Sequence, residues 1–536
     1  MKKHLTCLLG LLCLLCLLCV SVNAEQSPEL IEQVLFMDII QNGGFPEFPD
    51  ASICSDTRIF EPARSADDTL ADVKTALKQG LQALQDEIDI SKYQISSIDA
   101  IKDIYTQLIN ENPELFFAAN QFGFAGNGTG KIAAFYPYYQ INGAVYKTLT
   151  EEQKIQLRQQ QAVLEQLVSG IIEQVDPTWS ELEKALFLHD YLATHAQYDN
   201  TLQIRDAYSI LVEGTGVCQA YTLAYRLLLN RVFITSGTVS SRTLNHIWNI
   251  LLIGDSWYHV DVTWDDPTKD RIGLSQHTYF CLSEEKLKIT NNGGHNAPDL
   301  KYSLDVKADD KTFDNYYWAN VDSAFVPLNG AWYYLDVQNG LMRTTAPEKP
   351  GTQEKRINAK WYVWGSSYSS WNGIFSGLSC YNGELIYNTP DAVYRYDPNT
   401  KTAQSVLSLT SAERAEGYIC GTVVVGNELW YSVQQSPYAE EPAEPRIHKL
   451  DRYTAVTAGG YAYYLDGKTL HLKRDGTQSG SVIAAWYSEE DKLLGILILN
   501  EWELTADVSD AKTVKIFAAA NTDYHPLCEA TVCTLG

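Results

Sequence analysis

The apolar pattern changes period near residue 305, and this change constrains the fold more than any other feature of the chain. Before it, apolar residues recur at helical spacing, as in Val73, Leu77, Leu81 and Leu84 and again in Leu182, Leu186, Leu188 and Tyr191. After it, short aromatic runs follow Asn-Gly-type turns, the mark of half-buried strands and hairpins. Asn329-Gly330-Ala331-Trp332-Tyr333-Tyr334-Leu335-Asp336 is echoed by Gly459-Gly460-Tyr461-Ala462-Tyr463-Tyr464-Leu465-Asp466. Asn382-Gly383-Glu384-Leu385-Ile386-Tyr387 and Gly426-Asn427-Glu428-Leu429-Trp430-Tyr431 are looser copies, at spacings of roughly 33 to 53 residues. Segregated periods predict an α+β chain. Residues 305–536 are expected to form an all-β domain of propeller-like blades, with a β-sandwich as the alternative.

The preceding region divides at punctuation. Residues 71–90 and 98–109 read as helices, and Asn112-Pro113 interrupts the second. Leu115-Phe116-Phe117 and Ile132-Ala133-Ala134-Phe135-Tyr136 read as strands around a Gly-rich turn that holds the Asn127-Gly128-Thr129 sequon. Long helices are expected over 150–175 and from Ser180 to about His195, the latter opened by a capping box of Ser180 and Glu183. The layout is thus a mixed α/β region at 25–149, a core at 150–304 and the β-rich domain. Pro437 to Pro445 reads as a solvated loop.

Lys2 and Lys3, the Leu- and Cys-rich run to Val20, and Val22-Asn23-Ala24 form the three parts of a secretory signal over residues 1–24. Cys13, Cys16 and Cys19 each follow Leu, whereas a lipidated cysteine ordinarily follows a small residue, so release rather than anchoring is expected. The 536-residue chain carries a formal charge of -25, which excludes a nucleic-acid backbone as partner. Eleven cysteines, four of them within the signal, leave Cys54, Cys218, Cys281, Cys380, Cys420, Cys528 and Cys533. An odd number leaves at least one thiol unpaired. Cys528 and Cys533 are close enough for a local disulfide; two cysteines do not make a zinc site.

Chemistry concentrates between residues 214 and 267. Cys218 follows the turn Gly214-Thr215-Gly216 and precedes a helix-forming run, so its thiol is placed at a helix N-terminus, where free N–H groups favour thiolate and can receive an oxyanion. His246 opens a hairpin of residues 245–253 and 257–263 whose Gly254-Asp255 turn suits type II′. That register pairs Ile253 with Ser256 and His246 with Thr263, and makes Asp261 a diagonal neighbour of His246. A one-residue slip would put Asp261 on the other face. Nucleophile, base and orienting acid are therefore Cys218, His246 and Asp261. His259 is a rival base without a matching acid. His189-Asp190 reads as a buttress of the fold. Trp248 lies opposite Asp261 in this register and shields the triad from water. Tyr208 and Gln219 are candidates for the oxyanion site or the cleft wall.

Glu183-Lys184-Ala185-Leu186-Phe187-Leu188-His189-Asp190-Tyr191-Leu192, Tyr198-Asp199, Gly216-Val217-Cys218, His246-Ile247-Trp248-Asn249 and Trp257-Tyr258-His259-Val260-Asp261-Val262-Thr263-Trp264-Asp265-Asp266-Pro267 together resemble the bacterial transglutaminase-like superfamily. The resemblance covers about residues 150–300. Asn112-Pro113-Glu114-Leu115-Phe116-Phe117 is also similar to the segment leading into such domains in extracellular bacterial members. It implies a papain-like α+β core and a Cys-His-Asp triad, mapped onto Cys218, His246 and Asp261. Ile247 departs from the Ala more usual there, and its bulk narrows the cleft. The β-rich third lies outside the resemblance.

Such a triad implies a secreted cysteine acyltransferase or peptidase acting on protein or peptide amides, at the cell wall or beyond, through a thioester. No EF-hand loop or cofactor fingerprint occurs, so neither metal nor cofactor is expected. The alternative is a non-catalytic binding or cell-envelope protein that uses this core as scaffold.

Overall fold

A computed structural model describes residues 66–536 apart from 127–129, 267–270, 365–369, 373–374, 437–442, 451–453, 457–458, 467, 475–479, 500–502, 520–525, 527, 529 and 535–536. The secretory signal, Cys54, the Asn127 sequon, Pro267 and most of the 437–445 loop therefore lie outside the described residues. The described chain divides into two compact units, 66–424 with 430–446, and 425–429 with 447–536.

In the first unit, helices Ala66–Gln82 and Ile98–Glu111 lie against a small antiparallel sheet of Ile88–Asp89, Ile132–Ile141, Ala118–Gly126 and Ala144–Tyr146. Two sequence expectations are corrected here. The first helix ends at Gln82 rather than near 90, because Leu84 takes a left-handed turn and Ile88 enters the sheet. Leu115-Phe116-Phe117 is not a strand. Pro113, with its fixed φ, opens a 3-10 turn over Pro113–Leu115, and the strand starts at Ala118.

The helices that carry the site have legible ends. Thr150 with Gln153 and Ser180 with Glu183 both form complete capping boxes, opening Glu151–Ile172 and Glu181–His195. Helix Cys218–Arg231 is buried on most sides and packs against both Glu181–His195 and the strand His246–Ile253. That strand is central in a five-stranded antiparallel sheet ordered Phe280–Leu282, Ser256–Val260, His246–Ile253, Ser236–Ser241, Lys301–Tyr302. Ile253 pairs with Ser256 across a turn in which Gly254 has φ +60, the register anticipated from Gly254-Asp255. The ladder stops at Asn249 with Val260, so His246 and Thr263 do not pair. Asp261 instead leaves the strand and caps the short helix Val262–Asp265.

Beyond residue 320 the chain is mostly strand. Two four-stranded antiparallel meanders, Val326–Leu328 to Glu354–Ile357 and Leu378–Tyr381 to Thr402–Ser408, share a core of Val326, Tyr333, Leu335, Leu385 and Tyr396. Their hairpins Asn329-Gly330 and Asn382-Gly383 have φ of 52/69 and 50/76, as type I′ turns require. These meanders match the expected blade, but no closed ring of blades occurs among the described residues. In the second unit, two four-stranded sheets enclose Tyr461, Leu470, Leu472, Val482, Val514 and Ile516, which is the sandwich alternative. All six described cysteines are free thiols, Cys528 and Cys533 included, so the local disulfide their spacing allows is not formed.

Candidate active site

Cys218 is half-buried at the first position of its helix. Val217, in extended conformation, precedes it and supplies no side-chain cap. The turn before it is held from outside. Gly216 pairs in parallel with Tyr198, Asp199 N–H donates to Gly216 O at 3.0 Å, and Val217 N–H donates to Ile204 O at 2.9 Å. Asp199 also accepts from the backbone of Thr201, Gln203 and Ile204 at 2.7–2.9 Å. Gly216 must be glycine, because a Cβ there would lie 2.4 Å from Ala220 Cβ.

The helix is then tied to the strand bearing His246. Thr222 Oγ1 donates to Ile247 O at 3.0 Å, and Asn249 Nδ2 donates to Thr222 O at 3.1 Å. These bonds bring the start of the Cys218 helix to the strand that His246 opens, and the Cys218 side chain is among the groups that raise the His246 imidazole. Its Nε2 lies 2.5 Å from Asp261 Oδ2, which leaves Nδ1 for the sulfur. Burial pulls the His246 pKa down, but the Asp261 charge and hydrogen bond, with the Cys218 bond, push it up to about 10. Burial likewise raises Asp261, yet His246 and then His295 hold it well below the usual carboxylate range. The pair is thus an imidazolium and a carboxylate.

The sequence reading missed His295, which is fully buried and sets its Nε2 2.7 Å from the same Asp261 Oδ2. It also missed Trp264 as a site residue. The rings of Trp248 and Trp264 lie 5.4 and 5.8 Å from that of His246, and His295 lies 4.9 and 4.5 Å from the same two tryptophans. Gly294 lets Trp264 approach, since a Cβ there would meet its ring at 2.6 Å. Tyr198 is a third omission. Burial, then the charge of Cys218 beside it, pushes its hydroxyl up to about 12.

Trp248 is the floor of the site, 1 % exposed, with its N–H given to His259 Nδ1 at 3.0 Å and so not available to an oxyanion. Burial lowers the His259 pKa to about 3, so this rival base stands as a neutral acceptor. Tyr208 stacks on Phe116 at 4.7 Å, and it lines a neighbouring cleft together with Gln219.

Beneath the triad, His189 bridges Asp190 (3.0 Å) and Asp265 (3.2 Å). Asp190 also accepts from His277, Ser275 and the Phe325 N–H at 2.6–2.8 Å. Asp265 closes the short helix that Asp261 caps, so this network anchors the triad acid to helix Glu181–His195. His189, Asp190 and His277, like His246, Asp261 and His295, have donor atoms close enough for a metal ion. In both clusters the imidazoles already give hydrogen bonds to the carboxylate, which satisfies its charge from within the protein.

Among solved structures, the extracellular domain of a protein described as a one component system from B. thetaiotaomicron is 10% identical, with TM-score 0.17, over 54% of this chain and 42% of its own. A structure described as a TGase is 16% identical, with TM-score 0.16, over 29% of this chain and 46% of its own. The chain spans less than half of either, and scores this low carry no argument. No curated protein matches the chain. Residues 166–262, a segment that contains Cys218, His246 and Asp261, match the Transglutaminase-like superfamily. The chain therefore carries, at residues 166–262, a domain of the transglutaminase-like kind.

Proposed function

We propose that the protein is a secreted cysteine acyltransferase or amidase acting on protein or peptide amides. One observation carries this reading: His246 Nε2 is held on Asp261 Oδ2, on a strand tied through Thr222 to the helix that Cys218 opens, with Cys218 among the groups that raise its imidazole. An imidazolium beside a helix N-terminus stabilises a thiolate. The thiolate attacks an amide carbonyl, forming the C–S bond. As the C–N bond breaks, His246 gives its proton to the departing ammonia or amine. Neutral His246 then takes a proton from the acceptor, an amine or water, that attacks the thioester and frees the sulfur. Asp261 holds the imidazole throughout.

Extracellular release is supported by the signal-like pattern of residues 1–24. Among the described residues no helix is long and apolar enough to cross a membrane, which says nothing of strands.

The test follows a fluorescent primary amine into a glutamine-containing protein while measuring ammonia and new amino termini. Cys218-dependent incorporation, deamidation or cleavage supports the reading and sorts its outcomes. Equal yields from the wild type and Cys218→Ala overturn it.

A further inference from the structure

Beside the Cys218 turn lies a cleft of about 540 Å³ whose walls come from the 109–120 segment, the end of strand Ile132–Ile141 with the turn after it, helix Glu151–Ile172, the 203–209 segment and the start of the Cys218 helix. Its chemistry differs from that of an ordinary apolar ligand pocket. Seven of its lining residues are Asn or Gln, among them Asn120, Gln140, Asn142, Gln160, Gln203 and Gln219. Charged groups are few, namely Arg205, Asp206 and Glu213. Asp206 is already used, capping the following helix through Ser209 N–H at 2.8 Å, and Arg205 donates to Leu202 O at 3.1 Å. Phe116 and Tyr208, stacked at 4.7 Å, supply an aromatic flank.

A carboxamide both donates and accepts, so a wall of them suits a neutral ligand whose groups do the same. Vicinal hydroxyls meet that condition, and the apolar faces of sugar rings suit an aromatic flank. A peptide main chain would need a continuous strand edge to run a ladder of hydrogen bonds. Here the amides arrive as side chains from separate elements, Asn120 and Gln140 from two strands paired with each other, Gln160 and Gln219 from two helices, and Asn142 and Gln203 from connecting segments. We propose that this cleft binds an uncharged oligosaccharide.

The cleft wall and the Cys218 turn are parts of one scaffold. Asp199 accepts from Gln203 and Ile204 N–H on one side and gives its own N–H to Gly216 on the other, and Val217 N–H bonds Ile204 O. A saccharide in the cleft would hold its linked peptide next to Cys218. That delivery role rests on the acyl-transfer reading, whereas the binding does not.

The experiment titrates the full chain, as wild type and as Cys218→Ala, by calorimetry with four probes. These are an N-acetylglucosamine tetramer, cellotetraose, the anionic tetragalacturonate and tetra-alanine. A neutral oligosaccharide is expected to bind saturably in both proteins, with a Kd of roughly 0.1–1 mM. In the double variant Gln160→Ala, Gln203→Ala the affinity should fall about tenfold or more. Tetragalacturonate and tetra-alanine should not bind. Cys218 alkylation at the wild-type rate in the double variant would show that its fold is intact. Absence of saturable binding by either neutral probe, binding unchanged in the double variant, or preference for tetra-alanine would each overturn the proposal. Because the Cys218→Ala protein is titrated too, loss of acyl transfer and loss of saccharide binding are read separately.

Discussion

His246 and His295 place their Nε2 atoms on one and the same oxygen, Asp261 Oδ2, at 2.5 and 2.7 Å. The other oxygen, Oδ1, accepts from Trp264 N–H at 3.3 Å. A buried carboxylate held by three donors cannot rotate, and the imidazole it faces inherits that fixed direction. His295 thus acts on Cys218 only through Asp261 and His246, as a positioning residue. Replacing His295 with Phe is expected to slow alkylation of Cys218 by iodoacetamide about tenfold or more, since small misplacements are costly in such sites. His295→Gln, whose amide can still donate to Oδ2, should recover most of the rate. Equal rates in both variants would show that His295 only fills space.

Asp190 accepts four hydrogen bonds at the base of the site. Asp190→Asn keeps the volume but turns an amide N–H₂ toward donors. Breaking one partner of a buried ionic network costs roughly 3–5 kcal/mol, and urea unfolding should show a loss of that order. A loss near that of a surface substitution would contradict the network.

The same cluster predicts a pH dependence. Burial pulls His189 down, but Asp190 and Asp265 raise it from 6.5 to about 9. Its contribution to stability is therefore complete below pH 6.5 and is lost as pH rises through about 9. His246 adds a parallel loss toward about 10. Asp190 and Asp261 are held down, so their contribution is present at neutral pH and disappears as pH falls below the ordinary carboxylate value of 3.8. The urea midpoint should therefore fall as pH rises from 6.5 toward about 10. It should also fall as pH drops below 6.5, where buried His259, with its pKa lowered to about 3, stays neutral while an unfolded histidine takes a proton. The two carboxylates add to the loss below 3.8. A midpoint level from pH 6.5 to 10 would contradict the charged-histidine assignment.

Gly216→Ala introduces a Cβ 2.4 Å from Ala220 Cβ and 3.2 Å from Ile210 Cβ. The Cys218 turn must shift to admit it, at a cost of about 1–3 kcal/mol. Cys218 labelling should slow along with that loss. Full stability and full labelling together would show the close packing to be dispensable.

Local signals made much of this site readable. The hairpin register follows from Gly254-Asp255, and the helix starts follow from Thr150, Ser180 and the glycine before Val217-Cys218. His189-Asp190 was recognisable as a buttress. What escaped was non-local. His295 follows Asn291-Asn292-Gly293-Gly294, a run without periodicity, and reaches Asp261 only because the chain folds back from Phe280–Leu282. His277 and Asp265 meet Asp190 across 87 residues and through His189, with no spacing rule to reveal them. The strand expected at Leu115-Phe116-Phe117 failed because apolar content was weighed above the φ restriction of Pro113. The four-stranded meanders were legible from their turns, but the expected propeller needs a ring of contacts between sheets that no turn encodes, and none occurs among the described residues.

The central claim is that His246, oriented by Asp261, makes Cys218 a nucleophile. The direct measurement is the rate of Cys218 alkylation by iodoacetamide from pH 5 to 9, in the wild type, His246→Ala and Asp261→Asn, with glutathione as the reference thiol. The account predicts that wild-type Cys218 outpaces glutathione at the acidic end, and that either substitution removes most of the advantage. A wild-type profile that follows glutathione across the range, unchanged by His246→Ala, would contradict it.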